Sequence, residues 1–219
     1  PILMESFLTL AGSIVQSSNF NNKTCGSWNA LFAQPEEGSN IVEVSRERLR
    51  PFLSKAFRRP VEKKVIERYA GHVKSLVNSG KSFTDAMKET VSAVLASPRF
   101  LYLYDRQVGK NSIEKIDDYE FASRLSFFLW GSLPDEILLE SAKSGHLSDS
   151  TILNQQVNRM LKDRRIKRFC DSFPAQWLQL DRIISSVPDV KKYPDFYYAP
   201  PNYRTTMDMM MEPLLLFEN

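Results

Sequence analysis

Three carboxylates fall within four residues at Asp117, Asp118 and Glu120. Crowding of this kind is one way to raise the pKa of an acid until it exchanges protons near neutral pH. The same spacing also serves a helix start, with Asp117 and Glu120 in the two places of a capping box and Asp118 in a first turn, where acids complement the helix dipole. Structural use is the preferred reading. Arg58, Arg59, Arg99 and Arg124 are the natural partners, because a planar guanidinium grips a carboxylate through two parallel hydrogen bonds. The seven residues together are expected to form ion-pair clamps between helices.

Other reactive side chains are scarce, with 2 Cys and 2 His in 219 residues. Cys25 precedes Gly-Ser-Trp and Cys170 precedes Asp-Ser-Phe, so neither opens a Cys-x-x-Cys-His haem attachment, and no zinc-type spacing occurs. The reading is therefore no metal site, no haem attachment and no cofactor within these residues. Cys170 shares an apolar stripe with Phe169 and Phe173, which suits a buried thiol, while a disulfide with Cys25 stays open. His146 follows Gly145 between two predicted helices, where it suits a helix end, and His72 lies in a charged helix. Tyr193, Phe196, Tyr197, Tyr198 and Tyr203 fall in a proline-rich stretch. Rings held on a loop could stack on sugars or on a partner protein, so these five form the candidate ligand or partner surface.

The elements that must position these groups are helical almost throughout. Phe83, Ala86, Met87, Thr90, Val91, Val94 and Leu95 follow helical spacing between a Ser82 cap and Pro98. A helix is expected from Asp117 to Trp130 with Gly131 as terminator, and another from Leu133 to near Gly145 with Pro134 in its first turn. Further helices are read over 2–15, 45–57, 61–78, 149–161 and 164–180, the last kinked or broken near Asp171 because Pro174 falls inside it. Residues 99–104 could be a short strand or a helical turn. Phe127, Phe128, Trp130 and Trp177 lie on apolar stripes and are read as core, and the Met207 to Met211 run as an adaptable surface. The fold class is all-α, a bundle of about eight or nine helices with two long irregular loops at 17–40 and 181–202.

A net charge of +3 is too small to argue for nucleic acid, even though ten basic residues face three acids between Arg46 and Lys74. Solvated helix faces explain that run without a nucleic-acid partner. No uncharged apolar run reaches the roughly 20 residues of a membrane span. The chain starts at Pro1 and stops within an amphipathic helix, so a piece of a longer polypeptide is expected.

The strings LSKAFRRP at 53–60, VLASPRFLY at 94–102 and DDYEFASRLSFFLWGSLPD at 117–135 resemble the helical domains of unknown function in large secreted planctomycete proteins with cytochrome c-like domains. RML at 159–161 and FPAQWL at 173–178 extend the resemblance, although Pro174 departs from it and the first forty or so residues match poorly. The resemblance implies an N-terminal segment 1–44, a smaller helical domain 45–104 and a larger one 105–219. It also implies export to the periplasm or beyond, partners among flanking domains of the same chain, haem c in those domains, and contact with polysaccharide. The preferred function is a noncatalytic helical module that scaffolds neighbouring haem or substrate-binding domains. The alternatives are an enzyme using carboxylates and Arg on polysaccharide, or a carbohydrate-binding module using the Tyr-rich loop.

Overall fold

A computed structural model describes residues 2–103, 116–198 and 205–218, without the side chains of Ile2 and Tyr198. Among the described residues there are thirteen α-helices, one short 3-10 turn and no strand, so the chain is all-α. It divides into two compact units, residues 1–120 and 121–219.

The first unit contains α1 (Ile2–Gln16), α2 (Trp28–Leu31), α3 (Ile41–Ala56), α4 (Lys63–Asn78), α5 (Phe83–Leu95) and α6 (Pro98–Leu101). Helix α5 forms where its spacing predicts, with the Ser82 hydroxyl accepting from the Asp85 N–H at 3.1 Å. Helix α3 starts four residues before the expected position because Asn40 caps it, its side chain accepting from the Val42 and Glu43 amides. Helices α3, α4 and α5 pack on one another, and α1 lies against α5. Leu49, Leu53, Val73, Ala86, Met87 and Val94 are the fully enclosed centre of this core.

The stretch read as irregular at 17–40 holds α2 and an aromatic cluster. Phe20, Trp28 and Phe32 lie with ring centroids 5.3 to 6.2 Å apart, and the Lys88 ammonium stands 5.3 Å from the Trp28 ring. Leu31 and Phe32 are buried in the same core as α3 to α5, so this segment is part of the unit's packing. Residues 98–101 form the helical turn α6, with Pro98 at its first position, which settles the strand-or-turn question up to Tyr102.

The second unit takes most of α7 (Asp118–Trp130), then α8 (Glu136–Lys143), α9 (Ser150–Leu161), a 3-10 turn at Arg164–Ile166, α10 (Lys167–Trp177), α11 (Asp181–Ser185), α12 (Pro194–Tyr198) and α13 (Thr205–Glu218). Trp130, Leu138, Leu147 and Met160 are its largest enclosed side chains. Helix α13 packs on α10 and α11. The long segment after Asp181 is thus broken by α11 and α12.

Two expectations need correction. Helix α8 begins at Glu136 with Asp135 as its cap, so Pro134 precedes the helix and is not in its first turn. Pro174 does not break α10, which runs through it to Trp177, while the interruption falls earlier, at the 3-10 turn capped by Asp163. Pro174 lies in the last turn, where a missing amide forfeits a single intrahelical bond, and its ring is buried. The helix then closes normally, the Leu180 N–H donating to Ala175 O at 2.9 Å and the Gln179 N–H to Gln176 O at 3.3 Å.

Candidate functional site

The arginine pair at the end of α3 acts at two places. Helix α3 closes with Arg58 in the left-handed region at φ 58°, the Arg59 N–H donating to Ser54 O and the Arg58 N–H to Lys55 O. That backbone turns the Arg58 side chain inward. Its guanidinium donates to the carbonyls of Arg99 and Phe100 at 3.0 Å and Tyr102 at 2.8 Å, and more distantly to Ala56. It therefore covers the C-terminal carbonyls of α6, which a short helix leaves unmet. Burial, and secondarily the adjacent charge of Arg59, pulls the Arg58 pKa below its ordinary value. Among the described residues, the carbonyls at the end of α6 are its main partners.

Arg59 makes the carboxylate clamp expected of it, donating to both oxygens of Asp117 at 2.9 and 3.1 Å. Asp117 in turn accepts from the Glu120 N–H at 2.8 Å and so caps α7. Asp118 occupies the first turn of α7 and Glu120 is buried, while Arg124 is exposed on the same helix. The Arg99 guanidinium stands 6.0 Å from the Phe57 ring centroid.

A second arginine cluster, in the second unit, was not anticipated from sequence. Trp130 is fully enclosed and its indole N–H donates to Met160 O at 3.0 Å. The Arg165 guanidinium lies 3.4 Å from the Trp130 ring centroid and that of Arg159 lies 5.5 Å away. Arg159 is bidentate on Asp135 at 2.6 and 3.1 Å, and Arg165 reaches Asp163 at 2.7 Å. The Arg165 guanidinium and backbone N–H hold the Asp163 carboxyl far below the usual range. At Asp135 burial pushes the pKa up, but Arg159, the Leu138 N–H and the charge of Arg165 outweigh it and the net direction is down. The sequence places Asp135 in a first turn and gives Asp163 no role, whereas both are caps. Their arginine partners lie 24 and two residues away, and nothing local marks the longer pairing.

The aromatic residues divide differently from the sequence reading. Of the four placed in the core, only Trp130 is there, while Phe127, Phe128 and Trp177 are exposed, Trp177 at 65%. Along α10, Phe169, Phe173 and Trp177 fall at i, i+4 and i+8 and stack, with interplanar angles of 16° and 27°. Phe128 and Phe217 edge onto the same stack. In the tyrosine segment, Tyr193 is exposed, Phe196 and Tyr197 are half-buried, and the Tyr197 hydroxyl donates to Pro188 O at 2.7 Å. The Tyr198 side chain and all of Tyr203 lie outside the described residues.

The remaining candidates are dispersed. His72 and His146 are exposed on separate units. Cys25 and Cys170 are free thiols, and burial, followed by the charges of Glu218 and Asp171, raises the Cys170 pKa, which disfavours a reactive thiolate. Among the described residues no three His, Cys, Asp or Glu side chains converge as a metal site. No helix among them is long and apolar enough to cross a membrane.

Residues 116–219 match PSD4, a protein of unknown function (DUF1592). Residues 45–105 match PSD5, also a protein of unknown function (DUF1595). The Arg58 and Arg59 clamps arise from the PSD5 segment, and Asp117, the Trp130 cluster and the α10 stack all fall in the PSD4 segment. No curated protein and no solved structure matches the chain.

Proposed function

We propose that this chain is a noncatalytic helical module of an exported, multidomain, cytochrome c-like planctomycete protein, and that it holds neighbouring domains, including haem c domains, in place. The observation that carries this reading is the surface of α13. Met207, Met209, Met211, Leu215 and Leu216 are all exposed there, a density of large apolar groups that water alone does not favour. Methionine is unbranched and polarizable, so a Met-rich face adapts to a partner surface of irregular shape. The charged residues support the same reading from the other side, since Arg58, Arg59, Arg159 and Arg165 are engaged in internal bonds that hold helix ends.

The test is hydrogen exchange on the chain alone and on a longer polypeptide carrying the domains encoded on either side. Amides of residues 205–218 are expected to gain protection in the longer form. Equal exchange in both forms refutes docking through α13. Replacing Met209, Leu215 and Leu216 together by Gln should abolish the added protection while leaving the helical circular dichroism unchanged.

A further inference from the structure

Helix α7 passes from one compact unit into the other, and an arginine acts at each of its ends. The units divide between residues 120 and 121, so the first turn of α7 belongs to the first unit and the rest of the helix to the second. The matched segments divide elsewhere, since the PSD4 match already starts at residue 116. Asp118, Tyr119 and Glu120 therefore belong to the PSD4 segment by sequence and to the first unit by packing.

Arg59, from the PSD5 segment, accounts for part of that difference. Its Nη2 donates at 3.1 Å to Asp117 Oδ1, the same oxygen that accepts the Glu120 N–H at 2.8 Å. Clamp and helix cap share one atom, so whatever loosens Arg59 loosens the start of α7. The Arg59 guanidinium also stands 5.9 Å from the Tyr119 ring centroid, within the range of a cation–π contact to the first turn. At the far end, Arg168 donates to Trp130 O at 3.4 Å and to Gly131 O at 3.2 Å, supplying partners to carbonyls that a helix end leaves unmet. Between these holds run thirteen helical residues, about 20 Å of helix. Starting a helix costs more than extending it, so fixing the first turn favours the later ones. Ala122, Ser126, Leu129 and Trp130 are buried along α7, so the same helix carries its order into the packing around Trp130.

We propose that α7 couples the two units: Arg59, by holding the Asp117 cap, stabilises the helix through to Trp130, and Arg168 stabilises it back to Glu120. The PSD5 segment is then a partner in cis for the first helix of the PSD4 segment. Such a coupling acts equally in both directions, because linkage between two sites is reciprocal.

The experiment is amide hydrogen exchange by NMR on the whole chain. With urea rising below the unfolding transition, the Glu120 and Trp130 amides of the parent should converge on one opening with a common urea dependence. Separate openings overturn the proposal without any variant. Arg59→Met should speed exchange at Leu129 and Trp130 about three- to tenfold, the modest range that suits a partly solvated ion pair which also steadies a cap. Asp117→Asn keeps a capping side chain while weakening the ion pair, and should act in the same direction by less. The double variant should match Arg59→Met, because both changes break one interaction. From the other end, Arg168→Met should speed exchange of the Glu120 amide. Acceleration confined to residues 118–122 in Arg59→Met, or an unchanged Glu120 amide in Arg168→Met, overturns the coupling. Arg59 is partly exposed and Arg168 exposed, so the variants keep the fold, which circular dichroism checks. The α13 docking test reads residues 205–218 and is independent of this one.

Discussion

The first unit turns most of its large apolar side chains inward and leaves Leu3, Leu8, Leu10 and Ile14 of α1 exposed, whereas the second leaves many more at the surface. Phe32, Phe83, Leu49, Leu53, Met87, Val15, Val73 and Val94 are enclosed in residues 1–120, against Trp130, Leu138, Leu147 and Met160 in residues 121–219. The second unit instead shows Phe128, Trp177, Leu178, Ile184, Tyr193 and Leu216 to solvent. Hydrophobic stripes therefore serve two ends. In one unit they stabilise a core by burial, at about 25 cal/mol per Å² of apolar surface, and in the other they are available to something outside the described residues. A second contrast follows from the first: the second unit's central aromatic residue is held by ions as much as by packing.

The largest test of that contrast is Trp130→Ala. The enclosed indole supplies packing, the bond to Met160 O and a ring beneath two guanidinia, so its removal should cost about 3–5 kcal/mol in urea denaturation. Leu53→Ala should cost about 2–5 kcal/mol in the first unit through a cavity alone. Adding Arg165→Ala to each separates them. It should be strongly non-additive with Trp130→Ala and additive with Leu53→Ala. Additivity in both backgrounds removes the claim that ring and ions act as one structure.

Next in size is Arg58→Gly. Glycine relieves the left-handed backbone, so any net destabilisation measures the bonds that the guanidinium makes, those to the α6 carbonyls among them. A net loss of about 1–3 kcal/mol is expected, because a buried charged donor leaves several acceptors unmet when it goes. A neutral or stabilising result means that Arg58 is not a clamp.

Acid should act through the ion cluster of the second unit. The Asp163 and Asp135 pKa values lie below their ordinary value in the folded protein. An unfolded Asp titrates near about pH 3.9, so these groups contribute stability above that pH and lose it as the pH falls toward their folded values. Asp163→Asn should cost about 1 kcal/mol near neutral pH, since both partners are partly solvated, and should flatten the fall in urea midpoint below about pH 4. An unchanged acid slope places the pH dependence elsewhere.

What could be read from sequence follows the same division. Helices with a cap and a terminator in place, such as α5 between Ser82 and Pro98, were legible because both signals are local. The Arg59 to Asp117 clamp was legible in its chemistry, since an acid with capping spacing and an arginine left few other partners. The carbonyl partners of Arg58 were not legible because its direction is set by a left-handed residue that no periodicity announces. Phe128 and Trp177 were misplaced because a stripe records which face of a helix is apolar, not whether anything covers it. The Trp130 cluster was missed because its arginines come from residues 159 and 165, far along the chain.

The smallest expected effect has the opposite sign and is the most discriminating. Arg58 and Gln179 stand at equivalent positions, each one residue beyond a helix cap and each in the left-handed region. Gln179→Gly removes the strain without breaking any side-chain bond made among the described residues, and the gain is reduced by the greater freedom of glycine in the unfolded chain. A stabilisation of a few tenths up to about 1 kcal/mol is expected, read as a rise of a few degrees in Tm. Arg58→Gly and Gln179→Gly should therefore shift Tm in opposite directions although they make the same backbone change. A residue whose replacement stabilises the fold is retained for something the fold does not need. If Gln179→Gly melts earlier, the Gln179 amide has a structural use within the chain, and the contrast between the two left-handed residues no longer points outward.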